Sequence, residues 1–179
     1  IGYIKETVVG DVMNIKKVRV DKEGTGMGWG AVYAQYLESM DQIGEQGNGL
    51  SVSRQLYKGD EALNESAPLK VGDKITVRLT VKADRDMDFV QIKDDRAACM
   101  EPLQAVSGFR WSNGLGYYQA TKDASTQFFI DQMRKGTYVI EYQVYVNRTG
   151  EYQTGIATVQ SAYAPEFGGH TGGYRVMVE

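Results

Sequence analysis

Between residues 74 and 82 the chain reads KITVRLTVK, and apolar and polar side chains alternate without a break. Ile75, Val77, Leu79 and Val81 fall on one side of an extended backbone, and Thr76, Arg78, Thr80 and Lys82 on the other. A period of two with one apolar face predicts a half-buried antiparallel strand. GTYVIEYQVYVNRTG (136–150) repeats the pattern, with Tyr138, Ile140, Tyr142, Val144 and Val146 on one face and a turn signal at each end. Shorter strands are expected in LSVSRQLY (50–57), DFVQIKD (88–94), TQFFIDQM (126–133), GIATVQSAY (155–163) and YRVMVE (174–179). No long stretch carries the helical period. The pattern therefore predicts an all-β fold, an antiparallel sandwich of about seven strands.

The opening third reads differently. VVGDVMNIKKVRVD (8–21) and GWGAVYAQYLESM (28–40) are strand-like and are separated by the glycine-rich KEGTGMG. The first could pass for an amphipathic helix, but Val12, Ile15, Val18 and Val20 are all β-branched, which favours a strand. DQIGEQGNGL (41–50) is polar, contains three glycines and suits a linker or long loop. A module boundary is expected there, dividing the chain into an N-terminal β segment (1–48) and the sandwich (49–179).

Composition narrows the possible partners. Twelve tyrosines and 21 glycines against three prolines fit a turn-rich β protein. A formal net charge of -3 supplies no basic field for nucleic acid or anionic membrane surfaces. The single cysteine excludes an intrachain disulfide. No apolar run approaches the roughly 20 residues that span a bilayer. The chain starts at Ile1 with no leader-like segment, so it is expected to be a piece of something longer, with any export signal upstream.

The ordered set LSVSRQLY, PLKVGDKITVRLTVKADRDMDFVQIKDDRAACMEP and KGTYVIEYQVYVNRTGEYQTGIATVQSAYAPEF resembles the C-terminal region of bacterial α2-macroglobulin-like proteins. In that family the last macroglobulin-type sandwich opens on an L.V.R.LY strand. It continues through L.VGD.V.V.L.V and a V.V.D.LPAG.E turn, and closes on a V.SMY.P loop and a final strand. Here Asp95 keeps the aspartate of the turn, Ala98 the small residue and Glu101 the acid, while Cys99 stands where relatives often carry glycine. SAYAP keeps Ser161, Tyr163 and Pro165; YAPE departs from the commoner Y.PQ. The resemblance covers about residues 50 to 179. It also identifies residues 1–48 with the end of a CUB-like module interrupted by a helical thioester domain, since WGAVYAQYLESM is similar to that module's returning strand.

The resemblance implies a non-catalytic domain of a protease-trapping inhibitor of the periplasm or cell envelope, anchored as a lipoprotein through an upstream signal. Its implied partners are the thioester-type helical domain and CUB-like module of the same protein and, through the whole protein, proteases; no cofactor and no metal are implied. In the family the loop carried here by Ser161, Tyr163 and Pro165 packs on the thioester-bearing domain and covers the labile bond from water. The other reading of Tyr163 is a ring packed within its own domain.

Other candidates are weighed on their residues. A family thioester needs Cys-x-x-Gln, whereas Cys99 is followed by Met100, Glu101 and Pro102, and proline supplies no acyl group. A nucleophilic Cys99 would need a base in an electropositive setting, and His170 in FGGHTGG has no spacing that demands contact. Cys99 is therefore read as a small buried side chain. DRDMD (84–88) with KDDR (93–96) clusters aspartates but lacks the order of a calcium loop. Arg85, Lys93 and Arg96 can neutralise the cluster, giving a solvated, salt-bridged hairpin. GFRWSNGLGYYQATKD (108–123) gathers aromatics around SNGLG, a natural hairpin turn. They either pack across strands or form a partner surface of Trp111, Tyr117 and Tyr118, which would suit an adhesin-like or carbohydrate-binding sandwich. NRT (147–149) fits a glycosylation sequon and is read as a turn.

Overall fold

The computed structural model describes residues 3–10, 14–64 and 67–179. The chain divides into two compact units, Ile1–Leu37 and Glu38–Glu179.

The described residues of the first unit form no strand and are exposed. The strands expected at 8–21 and 28–40 are absent there; Val12 lies outside the described residues. β-branched side chains supply propensity, but a strand exists only where its N–H and C=O groups find a ladder. Among the described residues up to Leu37, no backbone–backbone hydrogen bond of that kind forms.

The second unit carries fourteen strands among its described residues: β1 (Gln46–Asn48), β2 (Leu50–Lys58), β3 (Glu61–Ala62), β4 (Lys74–Ala83), β5 (Met87–Asp95), β6 (Met100–Pro102), β7 (Gly108–Ser112), β8 (Leu115–Thr121), β9 (Ser125–Met133), β10 (Gly136–Val146), β11 (Gly150–Gln153), β12 (Ala157–Ser161), β13 (Gly168–His170) and β14 (Arg175–Val178). It begins upstream of the boundary expected at 48. The segment read as a linker holds a 3-10 turn at Met40–Gln42 and then β1, which pairs with β13. Asp41 anchors that turn, accepting from Arg175 Nε of β14 at 2.9 Å. The Ser39 hydroxyl and then the Arg175 guanidinium hold its carboxyl below the usual aspartate range.

Twelve strands form one antiparallel path, β6-β10-β4-β2-β1-β13-β12-β5-β9-β8-β7, with β3 beside β2. The path folds into two layers, and the short β1 and β13 make the corner. β4 and β10 pair over ten positions, from Gly136 opposite Ala83 to Tyr145 opposite Lys74. Their predicted apolar faces turn inward together. Ile75, Val77, Leu79, Val81, Ile140, Val144 and Val146 are buried against Val90, Ile92, Phe128 and Ile130 of the other layer. The Phe128 and Tyr142 rings meet across the layers at 5.9 Å. β11 and β14 form a separate two-stranded sheet, joined to the rest by a parallel bridge between Leu69 and Val178.

Two sequence motifs turn out to be closures. In LKVGD, Asp73 Oδ2 accepts from the Lys70 N–H at 2.9 Å, and the Gly72 N–H bonds the Val146 carbonyl, leading the chain into β4. In SNGL, Asn113 and Gly114 both take positive φ (50° and 79°), the primed turn that matches strand twist, and Ser112 pairs with Leu115.

Candidate functional site

The loop 161–167 follows β12 and is tied down at many points. The Ser161 N–H bonds the Phe167 carbonyl at 3.0 Å, and the Phe167 N–H bonds the Ala164 carbonyl at 2.9 Å. Pro165 sits in that inner turn, where its fixed φ restrains the backbone. Asn48 Nδ2 donates to the Glu166 carbonyl at 2.7 Å and Gln160 Nε2 to the Pro165 carbonyl at 3.3 Å. Phe167 packs on the core and carries the Arg85 guanidinium over its ring at 4.7 Å. Ser161 is buried and acts through its backbone, whereas Pro165 is exposed.

Tyr163 stands out from this fixed loop with 80% of its surface exposed. Its ring contacts Phe89 edge-on, with centroids 5.1 Å apart and an interplanar angle of 83°. Phe89 is itself exposed and sits at φ 53°, a region costly for a bulky L-residue. Two hydrogen-bonded strands turn there together. Met87 and Val90 of β5 are both buried although three residues apart, and so are Ile130 and Met133 of β9 opposite. The period of two slips by one at Phe89 and throws its ring outward beside Tyr163. Sequence reasoning missed Phe89; the slip in its strand's alternation was the available signal. The Phe89 carbonyl accepts from the Ala162 N–H at 2.8 Å, which couples the kink to the loop.

The aromatic hairpin divides by face. Cross-strand pairing sets Phe109 opposite Tyr118 and Trp111 opposite Gly116, with Phe129 beyond Tyr118 on β9. Phe109, Trp111, Tyr118 and Phe129 are exposed. Tyr117 corrects the expected surface: one residue out of phase with Tyr118, it points inward, is buried, and meets Phe128 edge-on at 5.7 Å. Burial pushes its phenol above the ordinary value. Phe129 takes its place in the outer set.

The aspartate cluster also needs correction. Asp84 pairs with its neighbour Arg85, Asp86 accepts from the Lys135 N–H, and Asp95 pairs with Lys93, all near the surface. Asp94 is not solvated. It occupies an inward position of β5 in phase with Ile92, binds Arg54 Nη1 of β2 at 2.6 Å, and accepts from the Tyr142 hydroxyl at 2.7 Å. Among the described residues Arg96 bonds no aspartate side chain; its guanidinium binds Thr126 Oγ1 and the carbonyls of Lys122 and Asp123.

Cys99 is fully buried in the core cluster, and burial raises its thiol above the ordinary range. It lies in a turn closed by Met100 N–H to the Ala97 carbonyl at 2.9 Å. Desolvation disfavours the thiolate, which is the opposite of what a nucleophile needs. His170 sits on β13 with its Nδ1 3.1 Å from the Thr171 carbonyl. Glu101 accepts from Asn147 Nδ2 at 3.2 Å, which ties down the start of NRT; residues 147–149 form an irregular link between β10 and β11, not the turn expected from the sequence.

Comparison with known proteins follows from this architecture. The family model of the bacterial alpha-2-macroglobulin MG10 domain matches residues 49–166. The circularly permutated Ras protein 2 of Dictyostelium discoideum is 28% identical over 166 residues, which is 89% of this chain and 4% of that protein. Salmonella alpha-2-macroglobulin reacted with methylamine superposes with a TM-score of 0.64 at 19% identity, over 76% of this chain and 10% of that one. Native alpha-2-macroglobulin of Escherichia coli, from domain MG7 to the C-terminus, superposes with a TM-score of 0.63 at 17% identity, over 75% of this chain and 24% of that one. The chain spans a small part of each of these relatives.

Proposed function

Because the chain belongs to the family of bacterial alpha-2-macroglobulin MG10 domains, we propose that it is a non-catalytic docking module of a protease-trapping protein. In this reading the Tyr163 loop lies on a neighbouring thioester-type domain and keeps water from it, and residues 1–48 complete a CUB-like module of the same protein. The trap works in the periplasm or cell envelope, where a lipoprotein anchor holds it and proteases reach it.

The observation that carries the reading is the contrast at Tyr163. The backbone of the loop is fixed by hydrogen bonds on both flanks, while the ring is 80% exposed and meets Phe89 edge-on. An aromatic ring held rigid loses little conformational entropy on binding and offers a large apolar area with one hydroxyl. The bracing residue adopts a strained backbone, and strain of that kind is kept where surrounding structure enforces it, often at functional surfaces. The buried Cys99, followed by Met100, Glu101 and Pro102 and not by the family's Cys-x-x-Gln, supports a thioester carried by another domain.

The test compares the isolated chain and its Tyr163→Ala variant for binding to the separately produced upstream helical module. Loss of about tenfold or more in affinity, the scale of one good aromatic contact, is expected. In the full-length protein with a thioester, the same change should speed inactivation by methylamine. Unchanged affinity for the module would overturn the docking role.

A further inference from the structure

The outer face of the β7–β8–β9 hairpin region holds a second aromatic site, on residues other than the Tyr163 loop. Phe109, Trp111, Tyr118 and Phe129 line an open cleft of about 690 Å³ together with Asp131, Gln132 and Arg134. That volume lies within the roughly 300–1,000 Å³ typical of small-ligand clefts.

Trp111 is held against β8 at Gly116. A Cβ built on Gly116 would stand 2.8 Å from Trp111 Cε3 and Cζ3, so the edge of the indole's six-membered ring occupies space beside Gly116 that a larger residue would claim. Trp111 is nevertheless 76% exposed. Phe109, 79% exposed, is braced edge-on by Tyr118 at 5.1 Å. Two exposed rings, two residues apart on β7, thus each contact a residue of β8.

The polar lining is equally uncommitted. Among the described residues, the side chains of Asp131, Gln132 and Arg134 form no hydrogen bond or ion pair with the protein. The Arg134 carbonyl is occupied by the Tyr138 hydroxyl at 3.1 Å, which leaves the guanidinium free while fixing its backbone.

We propose that this cleft binds a pyranose oligosaccharide, with sugar rings stacked on Trp111 and Phe109 and their hydroxyls bonded by Asp131, Gln132 and Arg134. The axial C–H bonds of a pyranose are weakly positive and suit the negative face of an aromatic ring. Its rim of hydroxyls both donates and accepts, which serves a carboxylate, an amide and a guanidinium at once. A dry protein partner would bury those three groups unpaired at a cost of about 1–3 kcal/mol each. Nucleic acid is disfavoured by the Asp131 carboxylate and the net charge of -3.

Trp29 and Trp111 are the tryptophans of the chain, so a Trp29→Phe background makes Trp111 the sole fluorescence reporter. The 179-residue chain is screened on an array of pyranose oligosaccharides, with chitotetraose and maltotetraose also titrated in solution. The expected result is binding to at least one glycan with a blue shift of Trp111 emission. Trp111→Ala should weaken it about tenfold or more, the scale of one lost stacking contact. Gly116→Ala should do the same with unchanged circular dichroism, because the ring tilts while the backbone conformation stays ordinary. Binding to no glycan on the array or in solution overturns the proposal, as does binding that survives both variants. Protection of Trp111 by the upstream protein module in place of a glycan overturns it too.

Discussion

Replacing Asp94 by alanine is the sharpest test of how the two layers are joined. The Arg54 and Asp94 side chains are 4% and 1% exposed, and Nη1 meets Oδ1 at 2.6 Å. Arg54 Nη2 also donates to Thr154 Oγ1 at 2.9 Å and to the Gly155 carbonyl at 2.5 Å, while its Nε has no hydrogen-bond partner. One buried charge without its counter-ion costs about 3–5 kcal/mol, because desolvation is no longer offset. Against a total stability of about 5–15 kcal/mol for a domain, Asp94→Ala should move the urea midpoint far down. Tyr142→Phe removes one hydrogen bond to a charged acceptor and should cost about 1.5–3 kcal/mol. Replacing the pair together, Arg54→Met with Asp94→Leu, should recover most of the loss, since apolar replacements of buried pairs are close to neutral. Burial first, then the Asp94 charge, pushes the Tyr142 phenol well above its ordinary value of 10.0. Above that pH an unfolded chain ionises this tyrosine while the folded one keeps its proton, so stability falls as pH rises. The Tyr142 share of that slope is about 1.4 kcal/mol per pH unit, and Tyr142→Phe should remove it. Urea titrations from pH 7 to above 10 measure all of this. A cost under about 1 kcal/mol for Asp94→Ala would refute the assignment of a buried ion pair.

Three further outcomes are expected. Cys99 should resist iodoacetamide in the native chain and react only after unfolding; Cys99→Ser should cost about 1–3 kcal/mol by burying an unpaired hydroxyl, read by thermal denaturation. Tyr163→Ala should cost the isolated chain no more than about 1 kcal/mol, the worth of its edge contact with Phe89, and a loss of several kcal/mol would make it a core residue. Phe89→Asn should be close to neutral, since asparagine tolerates the positive φ and relieves about 1 kcal/mol of strain while losing the edge-on contact with Tyr163; a cost above about 3 kcal/mol would place Phe89 in the core.

What the sequence determined by itself is whatever one strand or one turn can specify locally. Strict alternation in 74–82 and 136–150 announced β4 and β10 and named their inward residues, because a side-chain period of two leaves one choice of face once one side is apolar. The SNGL turn and the buried Cys99 were legible for the same local reasons. β1, β3, β6, β11 and β13, of two to four residues, are too short to show a period, and they exist because neighbouring strands offer them a ladder. The opposite error at 8–21 and 28–40 has the same cause: propensity was present and the partner was not. Side-chain roles that depend on a second strand lay beyond local pattern. Asp94 looked like one of several solvated aspartates until folding set Arg54, forty positions earlier, and Tyr142 beside it. Tyr117 and Tyr118 are adjacent and alike in sequence, and only the hairpin's phase against β9 sent one to the core and the other outward. Phe89 was thrown outward by a kink that β5 and β9 make together. Burial, charge pairing and strain are set by what lies across the layer, and only the tertiary structure brings that together.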